Sequence, residues 1–91
     1  MPDLETIPGL RTLAVDIGGT NIKVMVLDEG GDPISERGKL PTPRPAVPST
    51  MIDIILKLAS EQPRYDRVSV GFPGVVLHGV TKTAPNLHED W

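Results

Sequence analysis

The sequence has no cysteine, which excludes a disulfide framework, a thiolate metal site and a thiol nucleophile. It has no excess of basic residues either. Lysine and arginine total 9 against 12 acids, for a formal charge of −3, and no basic stripe marks a nucleic-acid surface. No apolar run approaches the roughly 18 residues of a membrane-spanning helix. The opening Met1-Pro2-Asp3-Leu4-Glu5 has neither the basic nor the apolar region of a secretory signal, so a cytoplasmic location is expected. Aromatic residues are confined to Tyr65, Phe72 and Trp91, and 91 residues make one small domain with a modest core and a thin stability margin.

What the chain does have is turns. Ten prolines and nine glycines punctuate apolar runs that argue against disorder. Residues 1–10 carry Pro2, Pro8 and Gly9 without periodicity and read as an irregular extension; order is expected from residue 11. Leu13, Val15 and Ile17 alternate along a first strand. Ile22, Val24 and Val26 alternate along a second, whose other face carries Met25 and Leu27. Gly18-Gly19 between them predicts a hairpin with positive φ. A further turn over 28–33 leads to a weaker strand over 34–40, polar at Ser35, Glu36 and Arg37 and so placed at a sheet edge.

The run Pro41-Thr42-Pro43-Arg44-Pro45-Ala46-Val47-Pro48 is incompatible with helix or central strand. It reads as an extended connector, with a proline-motif ligand as the alternative. Thr50, with Asp53 three residues on, suggests a capping box for a helix ending before Pro63. Met51, Ile52, Ile55, Leu58 and Ala59 form its apolar stripe. Residues 67–72 read as a strand returning to the sheet by a crossover. A short hairpin about His78-Gly79 follows, and 84–91 is irregular. The order β-β-β-α-β leaves one sheet face without a cover, which implies further chain or an oligomer.

The stretch Asp16-Ile17-Gly18-Gly19-Thr20-Asn21-Ile22-Lys23 carries the chemistry. Two adjacent glycines leave backbone amides uncovered by side chains, and such amides form an anion-binding concavity. Thr20 and Asn21 add donors. The carboxylate of Asp16 beside that concavity would repel phosphate unless a divalent cation intervened, and Mg²⁺ suits such a mixed set of carboxylate, water and phosphate oxygens. An ordinary hairpin with a turn carboxylate remains the alternative. Neither a Walker-type loop nor a dinucleotide fingerprint is present.

Asp16-Ile17-Gly18-Gly19-Thr20-Asn21, followed by an apolar strand and a turn, resembles the first phosphate motif of the actin/hexokinase-like (ribonuclease H-like) fold. More closely it resembles the ROK family of sugar kinases and sugar-responsive repressors, and within it the polyphosphate-dependent glucokinases. Four stretches in order support this: Leu40 to Pro48, Val70 to Val76, His78-Gly79-Val80, and Lys82 to Leu87 with Trp91 beyond. The resemblance spans Leu13 to Trp91. It implies an α/β fold in which residues 11–91 form part of an N-terminal phosphate-binding lobe: an antiparallel three-strand meander, a helix and further strands.

By that resemblance Gly18, Gly19, Thr20 and Asn21 would cradle donor phosphates, with Lys23 a weaker member. Asp16 would meet Mg²⁺. Pro73, Gly74 and Asn86 would border the sugar, while Trp91 reads as a packing residue. The implied reaction moves a phosphoryl group from polyphosphate or ATP to the C6 hydroxyl of glucose, in a parent that is a homodimer. The general base is expected beyond Trp91, so no catalytic residue is assigned here and the 91 residues alone are expected to be inactive. Asp90, His78 and His88 receive no role. The alternatives are a sugar-sensing regulator lobe, disfavoured by the short segment before the first strand and the negative charge, and a non-catalytic phosphate-binding or structural module.

Overall fold

Period-two alternation does what the sequence predicts in the first two strands. β1 (Thr12–Ile17) and β2 (Asn21–Leu27) pair antiparallel, with Leu13 opposite Val26, Val15 opposite Val24 and Ile17 opposite Ile22. All six side chains are buried, and each contributes about 1.5–3 kcal/mol by leaving water. The computed structural model describes residues 9–74, 76–84, 87–88 and 90–91. β3 (Gly38–Pro41) joins β2 antiparallel, and β4 (Arg67–Gly71) joins β1 in parallel. The sheet order is therefore β3-β2-β1-β4: the meander, helix and crossover strand expected of an α/β lobe. β5 (Val76–Leu77) and β6 (Val80–Thr81) form a separate hairpin, turned by His78 and Gly79 at φ 51° and 77°.

Two boundaries differ from expectation. The third strand begins at Gly38 rather than residue 34. Ile34 donates to the Val26 carbonyl at 3.0 Å, but the Val26 amide then donates to Ser35 Oγ at 2.9 Å. Ser35 in turn donates to Gln62 Oε1 at 2.6 Å. The serine hydroxyl takes a ladder position, and the backbone leaves the sheet until Gly38. The helix, α1 (Pro48–Ser60), begins two residues earlier than Thr50, with Pro48 in its first turn, Val47 before it and no side-chain cap. Proline suits that place because its missing amide would have no intrahelical partner. The predicted Thr50–Asp53 capping box therefore does not form.

α1 packs over β2 and β3. Met51, Leu58 and Ala59 are buried, and Ile54 and Ile55 pack against the core. Gly38 lets the helix approach the sheet: a Cβ there would stand 3.1 Å from Val24 Cγ2 and 3.3 Å from Leu58 Cδ2. The expected stripe is narrower on one side, since Ile52 is half exposed. β4 lies outside the helix's cover. Val68 and Val70 sit level with Leu13 and Val15, yet remain 55% and 54% exposed. Of the predicted 1–10 extension, only residues 9 and 10 lie among those described.

Arg11, just before β1, is 1% exposed. Its backbone amide donates to Asp66 Oδ2 at 2.9 Å and its Nη1 to the Arg64 carbonyl at 3.2 Å, while Nε and Nη2 have no partner among the described residues. The Arg11 carbonyl accepts from Asp66 and Arg67. These bonds fix where the crossover enters β4. The hydrogen bond from the Arg11 amide does most to hold the Asp66 carboxyl below its ordinary value of 3.8; desolvation opposes it, and the nearby Arg64 guanidinium lowers it further.

Candidate functional site

β1 and β4 run in the same direction with Asp16 level with Gly71. Their C-terminal ends therefore share one edge of the sheet. From that edge leave the Gly18-Gly19 loop on one side and the Phe72-Pro73-Gly74 turn on the other. Loops at the carboxyl ends of parallel strands form the crevices in which α/β proteins bind ligands. Gly71 lies beside Asp16: a Cβ there would stand 3.8 Å from Asp16 Oδ1, an ordinary van der Waals contact.

The glycine loop does not use the positive φ expected of it. Among the described glycines, positive φ occurs at Gly9, Gly31 and Gly79, not at Gly18 or Gly19. The reason for glycine is proximity. The Gly18 amide donates to the Asn21 carbonyl at 3.0 Å, and a Cβ on Gly18 would meet that oxygen at 2.8 Å. Gly18, Gly19 and Asn21 are partly exposed and Thr20 is exposed.

The predicted connector is part of this loop's structure. The Thr42 amide donates to the Thr20 carbonyl at 2.9 Å, Thr42 Oγ1 donates to the Gly18 carbonyl at 2.6 Å, and Arg44 Nη2 donates to the Gly19 carbonyl. Thr42 is 7% exposed. At its far end the connector meets the chain terminus, where Trp91 Nε1 donates to the Ala46 carbonyl. Trp91 also lies 5.1 Å from Phe72, centroid to centroid, which makes it the packing residue expected.

Asp16 and Lys23 are cross-strand neighbours on the sheet face away from α1. With Ala14, Val24, Met25 and Arg37 they line an open pocket of about 230 Å³. Lys23 in turn stands opposite Lys39, a like-charge pair that disfavours the bare sheet. This is the face predicted to lack a cover. Asp16 is exposed and is the lone carboxylate of the pocket. Among the described residues, no group of three or more His, Cys, Asp or Glu is placed to hold a metal ion. That donor set suits a Mg²⁺ shared with phosphate oxygens, which needs one or two carboxylates, rather than a cage built by the protein alone.

On the other side of the crevice, Gly74 donates from its amide to the Phe72 carbonyl at 2.9 Å. A Cβ on Gly74 would run into the Thr83 carbonyl, so a close backbone approach does explain this glycine, with Thr83 as the partner seen. Asn86 lies outside the described residues. His78 is exposed at the hairpin tip. His88 Nδ1 accepts from the Asp90 amide at 3.1 Å and stands 3.5 Å from its carboxylate. The structure thus brings Asp16, Gly18, Gly19, Thr20, Asn21 and Lys23 to one corner, with Pro73 and Gly74 on the neighbouring loop. Sequence reasoning missed Thr42, Arg44 and Arg37. The first two were visible only as members of a proline-rich run.

The chain is similar to known proteins over most of its length. The chain is 35% identical over 95 residues to a polyphosphate glucokinase of Mycobacterium tuberculosis, covering 99% of this chain and 36% of that protein. It is 37% identical over 82 residues to the polyphosphate glucokinase of Mycobacterium leprae, covering 89% of this chain and 25% of that one. The crystal structure of an inorganic polyphosphate/ATP-glucomannokinase from an Arthrobacter species superposes with a TM-score of 0.83 at 33% identity, over 91% of this chain and 36% of that chain. The chain thus spans about a third or less of these relatives' length. The family model for ROK matches residues 12–91, a span that holds the glycine loop, the connector and the Pro73-Gly74 turn, and the chain belongs to the ROK family.

Proposed function

We propose that this chain supplies the phosphate-binding corner and one wall of the sugar site of a kinase that phosphorylates glucose at its C6 hydroxyl, with polyphosphate or ATP as donor. The observation that carries the reading is the level placement of Asp16 and Gly71 on parallel strands. It sets an amide-rich glycine loop beside a Pro-Gly turn at one sheet edge, as a reaction between a phosphate chain and a sugar requires. Relatives 35% and 37% identical to it over the matched segment are polyphosphate glucokinases.

In this reading the Gly19 and Thr20 amides and the Thr20 hydroxyl bind non-transferred phosphate oxygens. Lys23 adds positive charge. Asp16 would hold Mg²⁺, which when bound would supply charge neutralisation for the phosphates. The Pro73-Gly74 turn and Asn86 orient the sugar hydroxyl. Phosphoryl transfer relies mainly on positioning and electrostatic stabilisation, so these residues set geometry and leave proton removal to a base outside this set. The 91 residues therefore bind without turning over, and the parent acts as a homodimer.

The test is titration of the ¹⁵N-labelled chain with Mg²⁺ and pyrophosphate, read by amide shifts. Movement centred on Gly18 to Asn21 is expected, and Asp16→Asn should weaken the Mg²⁺-dependent part about tenfold or more. Shifts confined elsewhere, or an unchanged Asp16→Asn response, would rule the assignment out. Formation of glucose 6-phosphate by the 91-residue chain would refute the claim that it does not turn over.

A further inference from the structure

Among the described residues, the glycine loop is held on one side only. Gly18 O accepts from Thr42 Oγ1, Gly19 O from Arg44 Nη2, and Thr20 O from the Thr42 amide. Asn21 O is taken by Gly18 itself. Four successive carbonyls are thus occupied, three of them by the connector. By contrast, the Gly19 and Thr20 amides find no acceptor among the described residues.

These two facts are linked by the geometry of the peptide bond. In a trans, planar peptide the C=O of one residue and the N–H of the next point in opposite directions. Turning the Gly18 and Gly19 carbonyls toward the connector turns the Gly19 and Thr20 amides away from it. A run of glycines has little preference among peptide orientations, so an outside hold is needed to select this one. We propose that Thr42 and Arg44 are positioning residues of the phosphate site: they fix the peptide planes of the loop so that its amides face an incoming phosphate chain. Arg44 has a second effect. Its guanidinium sits against the loop's own backbone, so its fixed charge adds to the potential that draws a polyanion there.

This role rests on the phosphate reading of the loop given above and deepens it. Thr42 has the burial of a structural residue, but burial alone does not call for a hydroxyl. Valine would fill the same space. The hydroxyl is there for the Gly18 carbonyl, and the connector's prolines, lacking amides, leave Thr42 to supply the backbone donor as well.

The test uses the full 91-residue chain, ¹⁵N-labelled, with inorganic tripolyphosphate as probe. Thr42→Val should move the free-state shifts of Gly18 to Asn21 while leaving α1 unchanged, and should weaken tripolyphosphate roughly five- to tenfold. Thr42→Ser, which keeps the donor, should bind within about twofold of the parent. Arg44→Leu should weaken binding about threefold or more at low salt and flatten its salt dependence, as loss of a nearby exposed charge does. Arg44→Lys should restore the salt dependence but not the loop shifts, because an ammonium lacks the planar fork. If the parent binds and Thr42→Val binds equally with unmoved loop shifts, the positioning role is wrong and the phosphate reading stands. If the parent chain leaves Gly18 to Asn21 unmoved with tripolyphosphate, both are wrong.

Discussion

Glycine at two positions around the site answers a close approach of backbone. Gly18 is small because the Asn21 carbonyl closes over it, and Gly74 because the Thr83 backbone crosses it. Gly74 is the less forgiving, since a Cβ there would overlap the Thr83 carbonyl outright. Gly74→Ala should detach the β5–β6 hairpin from the end of β4 and cost about 3 kcal/mol, the upper range for overpacking. Collapse of the amide shifts of Leu77 and Val80 toward coil values, with α1 shifts retained, is the expected readout.

Asp66 works at the same scale but through charge. Its pKa is depressed in the fold, first by the Arg11 amide and then by Arg64. A depressed carboxylate adds stability that is fully present above the unfolded value of roughly 4 and is lost as pH falls through the lower folded value. Urea midpoints should therefore fall on acidification through that window. Asp66→Asn should lower the midpoint at pH 7 and flatten the acid dependence.

Among the elements, α1 shows how unequal the apolar residues of one helix can be. Met51 is fully buried beneath it, whereas Leu56 is 61% exposed. Met51→Ala should cost about 3 kcal/mol and Leu56→Ala no more than about 0.5, a contrast that urea unfolding at neutral pH would resolve. The same element shows what was legible in the sequence. Its existence, its end before Pro63 and the burial of Met51, Leu58 and Ala59 follow from period and from a residue without an amide. Its start did not, because Pro48 at the first turn outcompetes the weaker signal at Thr50.

The strands divide in the same way. β1, β2 and the crossover to β4 follow from alternation and from the need for a helix between parallel neighbours. The late start of β3 depends on one hydroxyl, Ser35, meeting Gln62 across 27 residues of sequence, and no local pattern encodes that. The site was legible where its residues are contiguous, from Asp16 to Lys23. It was not legible where residues distant in sequence hold the loop: Thr42 and Arg44 look like punctuation between prolines until the fold returns them to Gly18 and Gly19.

At the scale of the whole chain, one helix covers the sheet among the described residues, and the Cα envelope is 45 × 26 × 17 Å, two layers deep in its thinnest direction. β1 is paired on both sides, to β2 and to β4, while β4 is paired on one side only among the described residues. Pairing of β1 with β4 also joins residues 55 apart, against the short turn that joins β1 to β2. Native-state hydrogen exchange should therefore rank the amides unevenly: Val15 and Val24 slowest, Val68 and Val70 faster by an order of magnitude or more. Equal protection in β1 and β4 would show that the edge strand has a partner on its other side.

That ordering gives the crevice a seam. The phosphate loop belongs to the strongly held meander, and the Pro73-Gly74 turn belongs to the strand that opens first. Opening along β4 carries the turn away and leaves the loop intact. A ligand that touches only the loop would leave the seam's opening rate as it was. One that reaches both sides would act as a clasp, since binding only to the closed form stabilises it in proportion to occupancy. Slowed exchange at Val70, felt from a ligand seated partly on Gly19, would then be the mark of a molecule long enough to bridge the two loops.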